Sequence, residues 1–462
     1  MKINWDKILF WLLISVVVTL PLQVTELLLP VHILGSRFPI LEFSRVLTVI
    51  GILVLGLKWI LAKEITFPRG PVAFLLYIFV GINIFSLALF PSTSGLIEVL
   101  RYLLYLGFSI LAVNAIRKKW QFESVIKAIM IGGFPISLFA IFQYFSGFYL
   151  WNESLGSMIS RVNATFLDPN VLATFLGILI IVSIAYYSFA TDRKYRILSF
   201  LIAAASLPAL FFTFSRAGLV SFGAAFLFLV LVMSKNLKML VFYVFLALVA
   251  GVVYFGSAEV KDRTANIYDI VEGTTLNSDA TFVAISSEAS GDPSSGGKEE
   301  KFRDISVYLD RVLSFLPFNY DRTSTVKAGI LMLIDNPISG VGIGNFQKVY
   351  TSDYSYLIDF RRKPTQGNPI TLLHSSFVAL IAELGLMGLA WLAAFLFVLA
   401  KSFVRILREN SSVKISIITS GASLLLLFTH TQFRGSLFSD PYFWLLSGFM
   451  VVGQRLSTKK SR

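Results

Sequence analysis

The sequence predicts an all-α, polytopic transmembrane bundle, and three observations carry that expectation. The 462-residue chain is 56% hydrophobic and only 15% charged, with a mean hydropathy of +0.74, too apolar for a water-soluble globular domain. Its apolar residues fall in long continuous runs without the alternation of barrel strands, so helices satisfy the backbone in lipid. Its basic residues gather in short clusters at every second connection between those runs. The net charge of +13 therefore reports topology; no basic stripe or finger points to nucleic acid. With no cysteine, disulfides, thiolate catalysis and Cys-ligated metal are excluded together. The long first apolar run, with no small-residue cleavage site after it, is not the pattern of a cleaved signal peptide.

About twelve spans are expected. In order they cover residues 8–29, 46–61, 71–90, 99–116, 125–145, 171–189, 197–214, 219–233 and 239–255, then 386–400, 413–428 and 442–452. With the N-terminus inside, the cytoplasmic connections carry Lys2 and Lys7, then Lys58, Lys63 and Arg69, then Arg117, Lys118 and Lys119, then Arg193, Lys194 and Arg196. Lys235 and Lys238, then Lys401, Arg405, Arg408 and Lys414, and a tail of Arg455, Lys459, Lys460 and Arg462 complete the series. Both termini are then cytoplasmic.

The opposite connections hold no lysine before the long loop, only the isolated arginines Arg37, Arg45, Arg101, Arg161, Arg216 and Arg434. Each either snorkels to headgroups or joins others on an anion, and a set restricted to arginine favours phosphate, which the planar fork suits.

Three regions follow. Residues 1–255 form an N-terminal membrane bundle of about nine spans, 256–371 a long extracytoplasmic loop, and 372–462 a loop helix with about three further spans. Within the loop, 274–301 is rich in Ser, Gly and acidic residues and is expected to be flexible. Residues 302–350 are expected to be helical: 302–316 has near-helical apolar spacing that suits a membrane surface, and 323–334 reads as a helix ended by Asn336-Pro337. The glycine-rich turn Gly340-Val-Gly-Ile-Gly-Asn-Phe346 follows no strand and has no P-loop lysine, so it is weak evidence for phosphate binding.

Four outer segments carry the candidate chemistry. Arg161-Val-Asn-Ala-Thr-Phe-Leu-Asp168-Pro169-Asn170 leads into the sixth span, and Asp168 reads as a cap or a ligand. Thr213-Phe-Ser215-Arg216-Ala-Gly218 is a tight reversal that puts Arg216 at the hydrocarbon edge, where a cation needs water, headgroups or a polar cavity. Asp321-Arg322-Thr323-Ser324 opens the loop helix; such an arginine adds to an anion site or is merely solvated. His374-Ser375-Ser376 opens an apolar helix running directly into the tenth span through Ala382-Glu383-Leu384-Gly385. The alternation puts all three histidines, His32, His374 and His430, on the outer side. His374, beside outer arginines, is the best placed to act as a general base, since imidazole titrates near neutrality.

No D-x-D, H-E-x-x-H or paired-histidine spacing occurs, so no catalytic metal and no cofactor are expected. No nucleophile elbow occurs either. A transporter or flippase for a lipid-linked glycan is the alternative that hydropathy allows. It predicts ionisable residues or broken helices at mid-membrane, whereas the eighth, ninth and tenth runs carry no charge. A glycan-binding assembly scaffold is a third reading.

Taken in order, RVNATFLDPN, TFSRAG, DRTSTVKAGILMLIDNPISGVGIGNF and LLHSSFVALIAELGLMGL resemble the signature region of the O-antigen ligase, O-antigen polymerase and teichuronic-acid polymerase superfamily, over about 161–388. The resemblance implies a helical membrane glycosyltransferase in the bacterial inner membrane, acting on the periplasmic or extracellular side. It implies a donor glycan on polyprenyl pyrophosphate, commonly undecaprenyl, and an acceptor that is lipid A core or another lipid-linked glycan. It further implies that Arg216, Arg322 and His374 match the family's outer-junction arginine, loop arginine and loop histidine. Two departures are visible: Ser375 stands where the family often has Asn, and 274–301 reads as an insertion. On this basis Arg216 and Arg322 are expected to hold the pyrophosphate, and His374 to deprotonate an acceptor hydroxyl that attacks with inversion. Arg161 and Arg434 are secondary candidates for headgroup or acceptor contacts. Ligase and polymerase differ only in acceptor, and the sequence leaves both open.

Overall fold

The structure, a computed structural model, describes residues 3–23, 31–33, 36–38, 42–63, 65–148, 161–190, 192–233, 243–244, 246–252, 301–313, 320–358, 373, 375–408, 414–435 and 437–458. Helix α1 (Trp5–Thr19) starts on Asn4, whose side chain accepts from the Lys7 N–H at 3.1 Å. It stops well short of the expected end of the first span. The cause is Pro21, which has no N–H to continue the ladder and whose ring clashes with the preceding turn. A short antiparallel hairpin follows, β1 (Val31–Ile33) and β2 (Ser36–Phe38), with His32 opposite Arg37. It is a small departure from the all-α expectation.

The membrane helices then run α2 (Phe43–Ala62), α3 (Pro71–Leu89), α4 (Thr93–Ala115), α5 (Lys119–Ser146), α6 (Pro169–Phe189), α7 (Arg193–Phe212) and α8 (Arg216–Met233). Local chemistry sets their starts: Pro71 and Pro169 occupy first-turn positions where a missing N–H costs nothing, and Ser92, Asp168 and Asp192 cap with side-chain oxygens. After the loop helices α9 (Arg303–Leu313), α10 (Tyr320–Asp335) and α11 (Phe346–Asp353) come α12 (Ser376–Arg408), α13 (Lys414–Arg434) and α14 (Pro441–Thr458).

Eight helices, α2 to α8 and α12, are long and apolar enough to cross a membrane. Helices α1, α13 and α14 fall on the expected first, eleventh and twelfth spans but are shorter or, for α14, carry Gln454 and Arg455 in the last turns. Of the expected ninth span, only 243–244 and 246–252 lie among the described residues, and these are helical.

Helix α6 is the central post: 89% of its spanning window is buried, against 22% for α2, whose Leu53 and Ile60 face outward. Small residues allow the close approach. A Cβ on Gly177 would sit 2.5 Å from Leu426 of α13, and one on Gly218 2.6 Å from the Ala173 Cβ, so α13 and α8 both press against α6. Helices α5 and α7 each contain a proline, Pro135 and Pro208, and are joined across their buried face by Ser137 and Ser206, with 2.8 Å between hydroxyls.

The loop helices own a second core. Phe302, Leu331, Met332, Phe346, Tyr350 and Tyr354 are buried together with Ala382 of α12, so the loop is folded onto the start of that helix. Lys327 ties α10 to Asp310 of α9 at 2.8 Å. The expected helix at 302–316 and that at 323–334 are thus present as α9 and α10; of the expected flexible stretch 274–301, all but Lys301 lies outside the described residues.

Helix α12 is not continuous, which corrects the expectation of a direct run into the membrane. At Gly385 the backbone takes φ 59°, ψ −145°. The residues after the break recover hydrogen bonds from the glycine-rich turn: Leu386 N–H donates to the Pro337 carbonyl (2.7 Å) and Met387 N–H to that of Ile338 (3.4 Å). In return Val341 and Gly342 donate to the carbonyls of Ala382 (2.9 Å) and Glu383 (3.0 Å). The turn is a splint for a broken helix.

Candidate functional site

The arginines expected on the outer side sort themselves by partner. Arg45 pairs with Glu42 (3.1 Å) and Arg101 with Glu98 (2.7 Å). Both are neutralised, so neither is a vacant cation. Arg161 is spent differently: its Nε donates to the Thr213 carbonyl (2.9 Å) and its terminal nitrogen to the Asn170 side-chain oxygen (3.0 Å). Arg216 and Arg322 remain. Among the described residues neither makes an ion pair. The two are near enough for their charges to repel: Arg322 is half-buried, and burial first, the Arg216 guanidinium second, push its pKa below the ordinary arginine value. Two like charges held together, one of them partly desolvated, raise the energy of the empty site and lower it when an anion arrives.

The two sequence motifs that read as separate signals are one interlocked unit. Asp168 accepts from the Asn170 N–H (2.7 Å) and starts α6, as its capping reading requires. The Asn170 side-chain oxygen takes both Arg161 and the Ser215 hydroxyl (2.7 Å). Ser215 in turn accepts from the Gly218 N–H at 3.1 Å, the third amide of α8, and so caps the helix that Arg216 opens. Phe214, with φ 48°, makes the reversal. Arg216 is exposed at this N-terminus, where the helix dipole adds to its own positive field. Arg322 stands in the first turn of α10. Replacing Ser215 by alanine is expected to cost about 1 kcal/mol of stability through the lost cap; thermal melting of the variant beside the wild type checks it.

Ser375 and Ser376 fasten the start of α12 to the end of α13. The Ser375 hydroxyl donates to the Gln432 side-chain oxygen (3.1 Å) and accepts from the Val378 N–H (3.3 Å), while Ser376 accepts from the Leu437 N–H (2.8 Å). Helix α10 crosses this same segment, with Gly329 against Val378. His374 lies outside the described residues, as does the side chain of Arg434. Of the other histidines, His430 is fully buried within α13, with 2.8 Å between its Nδ1 and the Thr174 hydroxyl, so it serves the bundle's interior and not an open outer face; the His32 side chain lies outside the described residues.

The glycine-rich turn is not a phosphate cradle. The N–H groups of Val341, Gly342, Ile343, Asn345 and Phe346 are all taken, by Ala382, Glu383, Ser86, Gly342 and the Glu383 carboxylate respectively, and Gly344 donates to that carboxylate as well. Sequence reasoning missed Glu383 as the anchor of this turn. The signal was present: a single carboxylate, Glu383, directly after the aliphatic run Val378-Ala379-Leu380-Ile381-Ala382 in an otherwise apolar helix. The partnership of Asn170 with Ser215 had no such signal, since 45 residues separate them. Among the described residues no cluster of three or more His, Asp or Glu suited to a metal ion is present.

A bundle of eight membrane-length helices, with a folded loop packed at one end and Arg216 and Arg322 there making no ion pair among the described residues, defines a multi-pass membrane protein. Residues 201–393 match the family model described as O-antigen ligase, so this part of the chain is similar to that family. The match spans less than half of the chain, and includes Arg216, Arg322, the glycine-rich turn and His374, but neither Arg161 nor Arg434. No curated protein matches.

Proposed function

We propose that the protein is a membrane glycosyltransferase that moves a glycan from polyprenyl pyrophosphate to an acceptor hydroxyl, on the extracytoplasmic face and without a metal. The observation that carries this reading is the unneutralised pair of Arg216 and Arg322 at the end of the bundle that the charge pattern assigns to the exterior. Pyrophosphate supplies the charge that the pair lacks, and two planar forks bind its oxygens bidentately. As the anomeric C–O bond breaks, negative charge grows on the departing diphosphate. Two fixed cations then lower the transition state more than the ground state. His374 takes the proton of the acceptor hydroxyl, which attacks from the face opposite the leaving group, so the anomeric configuration inverts. Diphosphate leaves without a general acid.

Arg161 positions rather than binds in this scheme, because its guanidinium is committed to the turn before Arg216. Arg434 stays a candidate acceptor contact, next to the Gln432 that Ser375 engages. An apolar hollow of about 280 Å³ lies between α8, α12, α13 and α14, walled by Phe228, Phe395, Phe403 and Phe428 and reaching Leu437 beside Ser376. It is suited to the donor's hydrocarbon chain.

The purified protein supplied with a polyprenyl-pyrophosphate-linked repeat, with and without lipid A core, tests the reading. A ladder of products without core identifies a polymerase, and a single product only with core identifies a ligase. No glycan transfer under either condition, with substrate-dependent flux in liposomes, would replace the enzyme by a flippase.

A further inference from the structure

A cavity of about 580 Å³ lies at the end of the bundle opposite Arg216 and Arg322. That size falls within the roughly 300–1,000 Å³ of small-molecule sites. It opens between the start of α3, the end of α4, the second half of α12 and the last turns of α14. Three cations line it, Arg69, Lys401 and Arg455, and no carboxylate does.

Elsewhere at this end three basic residues are neutralised within the protein. Asp6 takes both Lys58 and Arg117 at 2.8 Å, and Glu123 takes Lys119 at 3.4 Å. Arg69 and Lys401, by contrast, make no ion pair or hydrogen bond among the described residues. A role in orienting the chain across the membrane explains cations at this end. It does not explain why two unpaired ones, Arg69 and Lys401, line one hollow.

The segment that carries Arg69 is also fixed in place. Thr66 is bonded to Asn114 of α4 through both its side chain and its carbonyl, and the Tyr77 hydroxyl donates to the Pro68 carbonyl at 3.0 Å. Arg455 is moored by donating to the Ile116 carbonyl. Beside the cations the wall includes the apolar Phe67, Val113 and Val451, and Phe67 stands exposed. Positive groups above an apolar wall, at a level where headgroups meet hydrocarbon, match an amphiphile with an anionic head better than a freely soluble anion.

We propose that this cavity binds the phosphate headgroup of an anionic glycerophospholipid from the leaflet at that end, with Arg69 and Lys401 as the principal contacts. The site is separate from the glycan chemistry and stands whether or not that chemistry is as described above.

The test uses the full-length protein, delipidated in neutral detergent and titrated with dihexanoyl phosphatidylglycerol or dihexanoyl phosphatidylcholine, with native mass spectrometry counting bound lipid. The wild type is expected to prefer the anionic lipid by about tenfold or more, from roughly 1 kcal/mol per cation. In the double variant R69Q/K401Q the preference is expected to fall to about threefold or less. K194Q, which removes an exposed charge at the same end but outside the cavity, is expected to keep it. An unchanged preference in R69Q/K401Q, an equal loss in K194Q, or no preference in the wild type would overturn the site. Displacement of phosphatidylglycerol by inorganic phosphate at matching concentration would overturn the assignment to a lipid and leave a soluble phosphate as the ligand.

Discussion

Alanine at Arg216 or at Arg322 is expected to lower glycan transfer by about 100- to 1,000-fold, with insertion and thermal stability at or above the wild-type level. The two halves of that expectation come from one fact. The guanidinium groups repel each other and neither is relieved by a carboxylate among the described residues, so removing either cannot destabilise the empty protein through a lost ion pair. What is lost is the attraction to a diphosphate whose charge increases along the reaction. Lysine at Arg216 keeps the charge but not the planar fork, and an intermediate rate is expected. Because both residues act on the same group, the double variant should lose much less than the product of the single losses. Transfer from a polyprenyl-pyrophosphate donor, measured beside a melting curve, reads both halves. Wild-type turnover in either single variant, or a drop in melting temperature large enough to explain the lost rate, would remove the arginine pair from the mechanism.

Much of this architecture is written locally and is therefore legible before any coordinates. Apolar run length and the lysine distribution place α2 to α8 within a few residues, because in lipid each helix satisfies its own backbone and needs no distant partner to be recognised. The capping role of Asp168 was legible for the same reason, being settled within two residues. The sorting of the arginines was legible only in part. The pairing of Arg101 with Glu98 is an i,i+3 contact within one helix, whereas only the fold brings Asn170, with its Ser215 and Arg161 bonds, under the helix that bears Arg216. The glycine-rich turn was misleading in the opposite way. Its three left-handed glycines, Gly340, Gly342 and Gly344, look like an anion nest, yet the Gly340 amide closes onto Asn336 and those of Gly342 and Gly344 onto Glu383 of α12. A broken helix offers the same kind of unsatisfied groups as a ligand does, and sequence spacing does not distinguish the two.

That splint makes Gly385→Ala the substitution with the largest expected effect on structure. At φ 59°, ψ −145° the backbone is in a region that is all but restricted to glycine, a strain of about 1–3 kcal/mol for any other residue. The added Cβ would also lie 2.6 Å from the carbonyl oxygens of both Pro337 and Ile338. Those oxygens cannot step aside freely, since they accept from Leu386 and Met387 across the break. Either the turn is expelled, stranding at least four hydrogen bonds, or α12 straightens and swings its first two turns away from Gln432 and Leu437. Both routes displace the Ser375–Ser376 start that sits between α10 and α13, so transfer should be abolished and the melting temperature should fall sharply. Gly81→Ala is the matched control: nothing lies within 4 Å of a Cβ there, the residue is inside α3, and a neutral or slightly stabilising change is expected. A Gly385→Ala protein that melts and turns over like the Gly81→Ala protein would show that the break in α12 is dispensable, and with it the splint that the glycine-rich turn provides.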